Sequence, residues 1–143
     1  MAAAGVEGMK KRASLALSGH SGMSQIANTV SSSAVSKATA ANSPVATSLI
    51  RHLILTTNPE AYAAACLALA GAPKIDGQNL PCELGIIGGN EDYLAGKEAV
   101  EKWAAEISEG RGRAIVLEDV GHWGAIESPD KVGAALKTFL APS

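Results

Sequence analysis

The sequence predicts an α/β class, with parallel strands and flanking helices in its C-terminal part and a helical segment before them. Three observations carry this. Patterning changes near Ala72-Pro73-Lys74-Ile75-Asp76-Gly77, from helical spacing before it to short apolar runs after it. Beyond that point strands and helices alternate through short connections, as they do where parallel strands are joined by crossover helices. The two apolar runs, Leu84-Gly85-Ile86-Ile87 and Ala114-Ile115-Val116-Leu117, read as strands buried on both faces. The expected division is a helical segment over 1–76 and the sheet-bearing portion over 77–143.

Each element has its own warrant. Residues 4–17 form a weakly patterned helix that carries Lys10, Lys11 and Arg12. Residues 22–31 place Met23, Ile26, Ala27 and Val30 at i, i+3, i+4 and i+7, one helical face. The small, polar stretch 31–42 reads as a loop or a frayed turn. Ser43 followed by Pro44 is a helix start, and Val45, Leu49, Leu53 and Thr56 then share a face. Asn58-Pro59-Glu60 repeats the start signal for a helix over 59–70, with Gly71 placed to end it. A strand over 83–87 follows the linker. The helix over 97–108 has Val100, Trp103, Ala104 and Ile107 on one face and a Glu98–Lys102 pair at i,i+4. A second strand covers 113–118. Ser128-Pro129 then opens a last helix with Val132, Ala135, Leu136, Phe139 and Leu140 on its apolar face.

Composition narrows the classes of function. A net charge of −2, with 18% charged residues, leaves no basic surplus for nucleic acid. Cys66 and Cys82 lack metal-ligand spacing, so no metal site and no cofactor are expected, and both read as buried free thiols in a reducing cytoplasm. Residues 1–8 lack the charged start and apolar core of a secretory signal. The longest apolar stretch, 61–72, is short of the roughly 20 residues a membrane span needs. A soluble, cytoplasmic protein with no membrane partner is expected.

The chemistry sits at the strand ends. Gly88-Gly89-Asn90-Glu91-Asp92 follows the first apolar run, and Gly121-His122-Trp123-Gly124-Ala125-Ile126-Glu127-Ser128-Pro129 follows the second. An acid after one strand and a histidine after the next supply two members of a Ser–Asp–His triad, whose nucleophile comes first in chain order. Asp92 would accept a hydrogen bond from the His122 ring and stabilise the imidazolium; the plainer alternative is a loop aspartate capping the next helix. His122 would be the general base; the plainer alternative is a histidine packed in its loop. Glu127 reads as a structural carboxylate before the final helix. Gly19-His20-Ser21-Gly22-Met23 approaches a G-x-S-x-G elbow, but Met23 stands where the last glycine belongs and little strand-like sequence precedes it.

These residues resemble the α/β-hydrolase family, and within it the oxoadipate enol-lactonase-like group. Leu80-Pro81-Cys82 through Asp92 is similar to the family's strand-to-acid segment, and Gly121-His122-Trp123 through Pro129 to its histidine loop. Residues 22–30 and Asn58-Pro59-Glu60-Ala61-Tyr62-Ala63 are similar to cap-helix segments, which puts Ser21 in the cap. The resemblance implies a helical cap over 1–76 and the C-terminal portion of the hydrolase core over 77–143. It implies catalytic roles for Asp92 and His122, and an ester or lactone substrate in a complete enzyme. The front half of the family has no counterpart here, so a truncated form is expected, inactive until a nucleophile is supplied. Two other readings stay open: a shortened triad of Ser21, Asp92 and His122, and a non-catalytic binding or assembly module. An open edge on the strand over 83–87 would favour self-association.

Overall fold

The computed structural model describes residues 3–73, 82–107 and 112–141, and they cluster as two compact units. The expected positions Lys74 to Gly77, Leu80, Pro81 and Ser108, and the side chain of Ile107, lie outside the described residues.

The first unit, Met1–Ser32 with Ser48–Lys74, is helical. It holds α1 (Ala3–Ala16), nearly all of α2 (His20–Ser33), the later part of α4 (Pro44–Leu55) and α5 (Pro59–Gly71). Helix α1 ends where Gly19 takes a left-handed φ of 81° and its N–H bonds back to the Ala16 carbonyl. The chain turns at once into α2, and the corner is tight: a Cβ on Gly22 would lie 1.8 Å from the Leu15 carbonyl oxygen. The core is made of small and medium side chains: Met9, Ala13 and Ala16 on α1, Met23, Ile26, Ala27 and Val30 on α2, Ile50 and Ile54 on α4, and Ala63 and Cys66 on α5, with α1 packed against α5. Alanine at these positions lets helices approach closely while burying little apolar surface per residue.

Helix α4 corrects the expected face. Ala46, Ile50 and Ile54 are buried, whereas Val45 is 78% exposed and Leu49 and Leu53 are also exposed. Two adjacent rows of this helix are apolar, so periodicity alone does not choose between them. Helix α5 starts as expected, with the Asn58 side chain accepting from Ala61 N. It runs through Gly71 and stops at Ala72, whose extended backbone (φ −60°, ψ 128°) is what a following proline enforces.

The second unit, Ser33–Thr47 with Ile75–Ser143, carries the sheet. Strand β1 (Leu84–Gly89) pairs in parallel with β2 (Gly112–Leu117), in a register that sets Ile87 beside Ile115 and Gly89 beside Leu117. Helix α6 (Lys97–Ile107) connects them and lies against Gly88, where an added Cβ would meet Val100 Cγ2. The opposite face, which begins at Ile87 by the alternation of a strand, packs Leu117, Val120 and Ile115 against Val132 and Ala135 of α8 (Pro129–Leu140). The strands are half-buried rather than fully buried, because two strands leave outer edges that no third strand among the described residues covers.

Three further expectations change. Trp103 is exposed while Val100 and Ala104 are buried, so α6 covers β1 with a narrow strip. Its ion pairs are Lys97–Glu101 and Lys102–Glu106 rather than Glu98–Lys102, and being exposed they contribute little. On α8, Leu136 and Leu140 are exposed; the helix end is held instead by Arg113, which donates to the Phe139 carbonyl and stacks 5.1 Å from the Phe139 ring.

The segment expected to be a loop over 31–42 forms α3 (Lys37–Asn42) in the second unit. Ser36 is its N-cap, the hydroxyl accepting from Thr39 N, and Ala34, Val35, Ser36 and Thr39 are buried. A one-turn helix, α7 (Gly124–Glu127), precedes α8, and Ser128 between them makes no side-chain cap bond. Among the described residues no single helix is long and apolar enough to cross a membrane; α4 and α5 reach that test only together, with a 98° bend between them.

Candidate active site

The acid loop leaves β1 at Gly89 and is fastened to the turn beyond β2. Asn90 N donates to the Leu117 carbonyl and Glu91 N to the Val120 carbonyl, so the two strand ends are locked side by side. Asp119 makes this possible by taking a positive φ of 57°, a conformation aspartate tolerates better than most residues. Asn90 Nδ2 also donates to Glu118 Oε2 at 2.6 Å.

Asp92 is then fixed by its own loop. Its Oδ1 accepts from Leu94 N at 2.8 Å and Ala95 N at 3.2 Å, while Oδ2 lies 3.0 Å from His122 Nδ1. The aspartate therefore faces the histidine, and its other oxygen holds the loop at Leu94 and Ala95 rather than capping α6, which starts at Lys97. Against an ionised carboxylate Nδ1 is the donor of this bond, which in the neutral ring leaves Nε2 as the acceptor. The Asp92 side chain is 9% exposed and that of His122 is 42% exposed, which leaves the ring accessible while its partner is sheltered.

The histidine loop is held at three consecutive amides. Gly121 N donates to Glu127 Oε2 at 3.2 Å, His122 N to the Ala34 carbonyl at 2.9 Å, and Trp123 N to Glu127 Oε1 at 3.1 Å. Glu127 Oε2 also accepts from Ser36 N at 2.8 Å. Residues 34–36 thus lie directly against the loop, and a Cβ on Gly121 would come within 2.6 Å of Ser36 N. The acid loop reaches the same segment, since Glu91 Oε2 accepts from Lys37 N at 2.8 Å. Hydrogen bonds to charged groups are each worth about 1.5–3 kcal/mol, enough to make this short segment a brace for both loops. Sequence reading missed it. The available signal was Ser36 three residues before Thr39 at the head of an alanine-rich run.

Ser21 is elsewhere in kind. It is exposed in the first turn of α2 and is preceded by the end of α1, not by a strand. The glycines around it serve the helical corner described above, so the strand–turn–helix of a nucleophile elbow is not what this motif forms. Among the described residues no serine stands between a strand and the helix that follows it.

No family model matches the chain, and no curated protein matches it. Among solved structures it is similar to a thermophilic esterase from Thermogutta terrifontis, solved with malate bound, at 26% identity and a TM-score of 0.85. The match covers 98% of this chain and 51% of the esterase. The scaffold is hydrolase-like. The chain spans about half the length of the esterase it matches.

Proposed function

We propose that this chain carries the acid and the base of an α/β-hydrolase-type site, Asp92 and His122, and that the nucleophile comes from outside the described residues. The observation that supports the reading most strongly is the 3.0 Å contact between Asp92 Oδ2 and His122 Nδ1, in loops that leave the ends of two paired parallel strands. The likeness to an esterase adds to it. In this reading His122 Nε2 takes a proton from an attacking hydroxyl and returns it to the leaving group, while Asp92 holds the tautomer and stabilises the imidazolium. The substrate class is a carboxylic ester or lactone, as in the enol-lactonase-like group. The helical segment over 1–76 takes the part of a substrate-selecting cap. The free thiols of Cys66 and Cys82 fit a reducing compartment such as the cytoplasm.

An acid and a base with no nucleophile beside them among the described residues should not turn over substrate. The 143-residue protein is expected to hydrolyse p-nitrophenyl acetate or a simple lactone no faster than buffer. Turnover that is lost in both Ser21→Ala and His122→Ala would overturn this reading in favour of a shortened triad.

A further inference from the structure

Glu127 follows His122 by one helical turn and stands immediately before Ser128 and Pro129 of α8. A carboxylate serving only the start of α8 would accept from that helix's first amides. Its recorded bonds run the other way, to Gly121 N, Trp123 N and Ser36 N. Both amides that flank His122 in sequence therefore end on one carboxylate, and the His122 amide between them ends on Ala34, two residues from Ser36. The backbone on each side of the histidine has no freedom to rotate without breaking a charge-assisted bond. The ring direction follows from that backbone, and the ring contact with Asp92 is a single 3.0 Å bond.

We infer that Glu127 is a positioning residue for His122: its carboxylate, anchored on the Ser36 amide, sets the loop so that Nδ1 meets Asp92. The inference rests on the proposed acid–base role of the pair. Glutamine at this position keeps one oxygen but turns an NH₂ toward amide donors, so it cannot accept from all three. The geometry of the Asp92–His122 bond should fail even where the fold does not.

The test uses the full chain with 15N-labelled histidine. The sequence has three histidines, and His20 and His52 lie in helices of the first unit, where they report on folding independently. Solid-state spectra of sedimented protein serve equally if the chain associates. The native chain should show a low-field Nδ1–H resonance for His122, assigned by its disappearance in His122→Gln. In Glu127→Gln that resonance should be lost while the His20 and His52 signals stay in place, and the exposed control Glu106→Gln should keep it. A resonance unchanged in Glu127→Gln overturns the positioning role and leaves the acid–base reading standing. Its absence from the native chain overturns the acid–base reading itself. If Glu127→Gln does not fold, couplings across the hydrogen bonds from the Gly121 and Trp123 nitrogens to the Glu127 carboxyl carbon in the native chain decide the matter: their presence supports the inference and their absence overturns it.

Discussion

Asp92 divides its carboxylate between two duties, and the division explains why one short loop can both turn the chain and hold a histidine. One oxygen is saturated by the amides of Leu94 and Ala95, which leaves the other free to meet Nδ1 in a fixed direction. At the same scale the two cysteines differ in their surroundings. Burial pushes the Cys66 thiol above its ordinary value, partly opposed by the positive charge of Arg12, whereas Cys82, expected to be buried as well, is exposed at the bend before β1. Because the thiolate is the reactive form, iodoacetamide at neutral pH should label Cys82 first and Cys66 only after denaturant is added; peptide mass mapping reads the order, and equal labelling of both in the native chain would contradict it. A raised folded-state thiol favours the folded chain below the unfolded thiol value, and that contribution fades as pH rises through the folded value. The pairing of Asp92 with His122 was legible in the sequence because a strand followed by a glycine-bearing turn announces where a side chain emerges. The bonds of Glu127 were not, because a carboxylate that collects backbone amides leaves no mark on composition or spacing.

At the scale of elements, start signals read true where Pro44 and Asn58-Pro59 stand, because proline and an N-cap act locally. Faces were harder. Helix α4 has two neighbouring apolar rows, and only tertiary packing chose Ala46, Ile50 and Ile54 over Val45, Leu49 and Leu53. Helix α3 was read as a loop because its identity comes from the bonds its N-terminal segment makes to Glu91 and Glu127, far away in sequence. Two glycines give opposite expectations. In Gly22→Ala the new Cβ meets backbone at 1.8 Å, an overlap no rotamer relieves, and the loss should be at least the 1–3 kcal/mol typical of overpacking. In Gly133→Ala, within α8, nothing lies within 4 Å of the new Cβ, and a gain of about 0.5–1 kcal/mol is expected from helix propensity. Urea midpoints of the two variants measure both; equal shifts would show that the α1–α2 corner is not as tight as described.

At the scale of the whole molecule the sheet is the critical feature. The described residues contain two paired strands, and each has an outer edge of N–H and C=O groups that no third strand among them pairs. Such edges recruit further strands, and we propose that the isolated chain associates through the edge of β1. Sedimentation should then find species heavier than the 14.5 kDa monomer that dissociate on dilution. A monodisperse monomer at every concentration would contradict this.

The most direct measurement is a chimera in which this chain replaces the matched half of the Thermogutta terrifontis esterase, assayed on a short-chain p-nitrophenyl ester. The expected result is ester hydrolysis that Asp92→Asn lowers by on the order of 10⁴-fold, the scale seen when a triad aspartate is neutralised, and that His122→Ala removes. A folded chimera whose turnover is indifferent to His122→Ala would contradict the account.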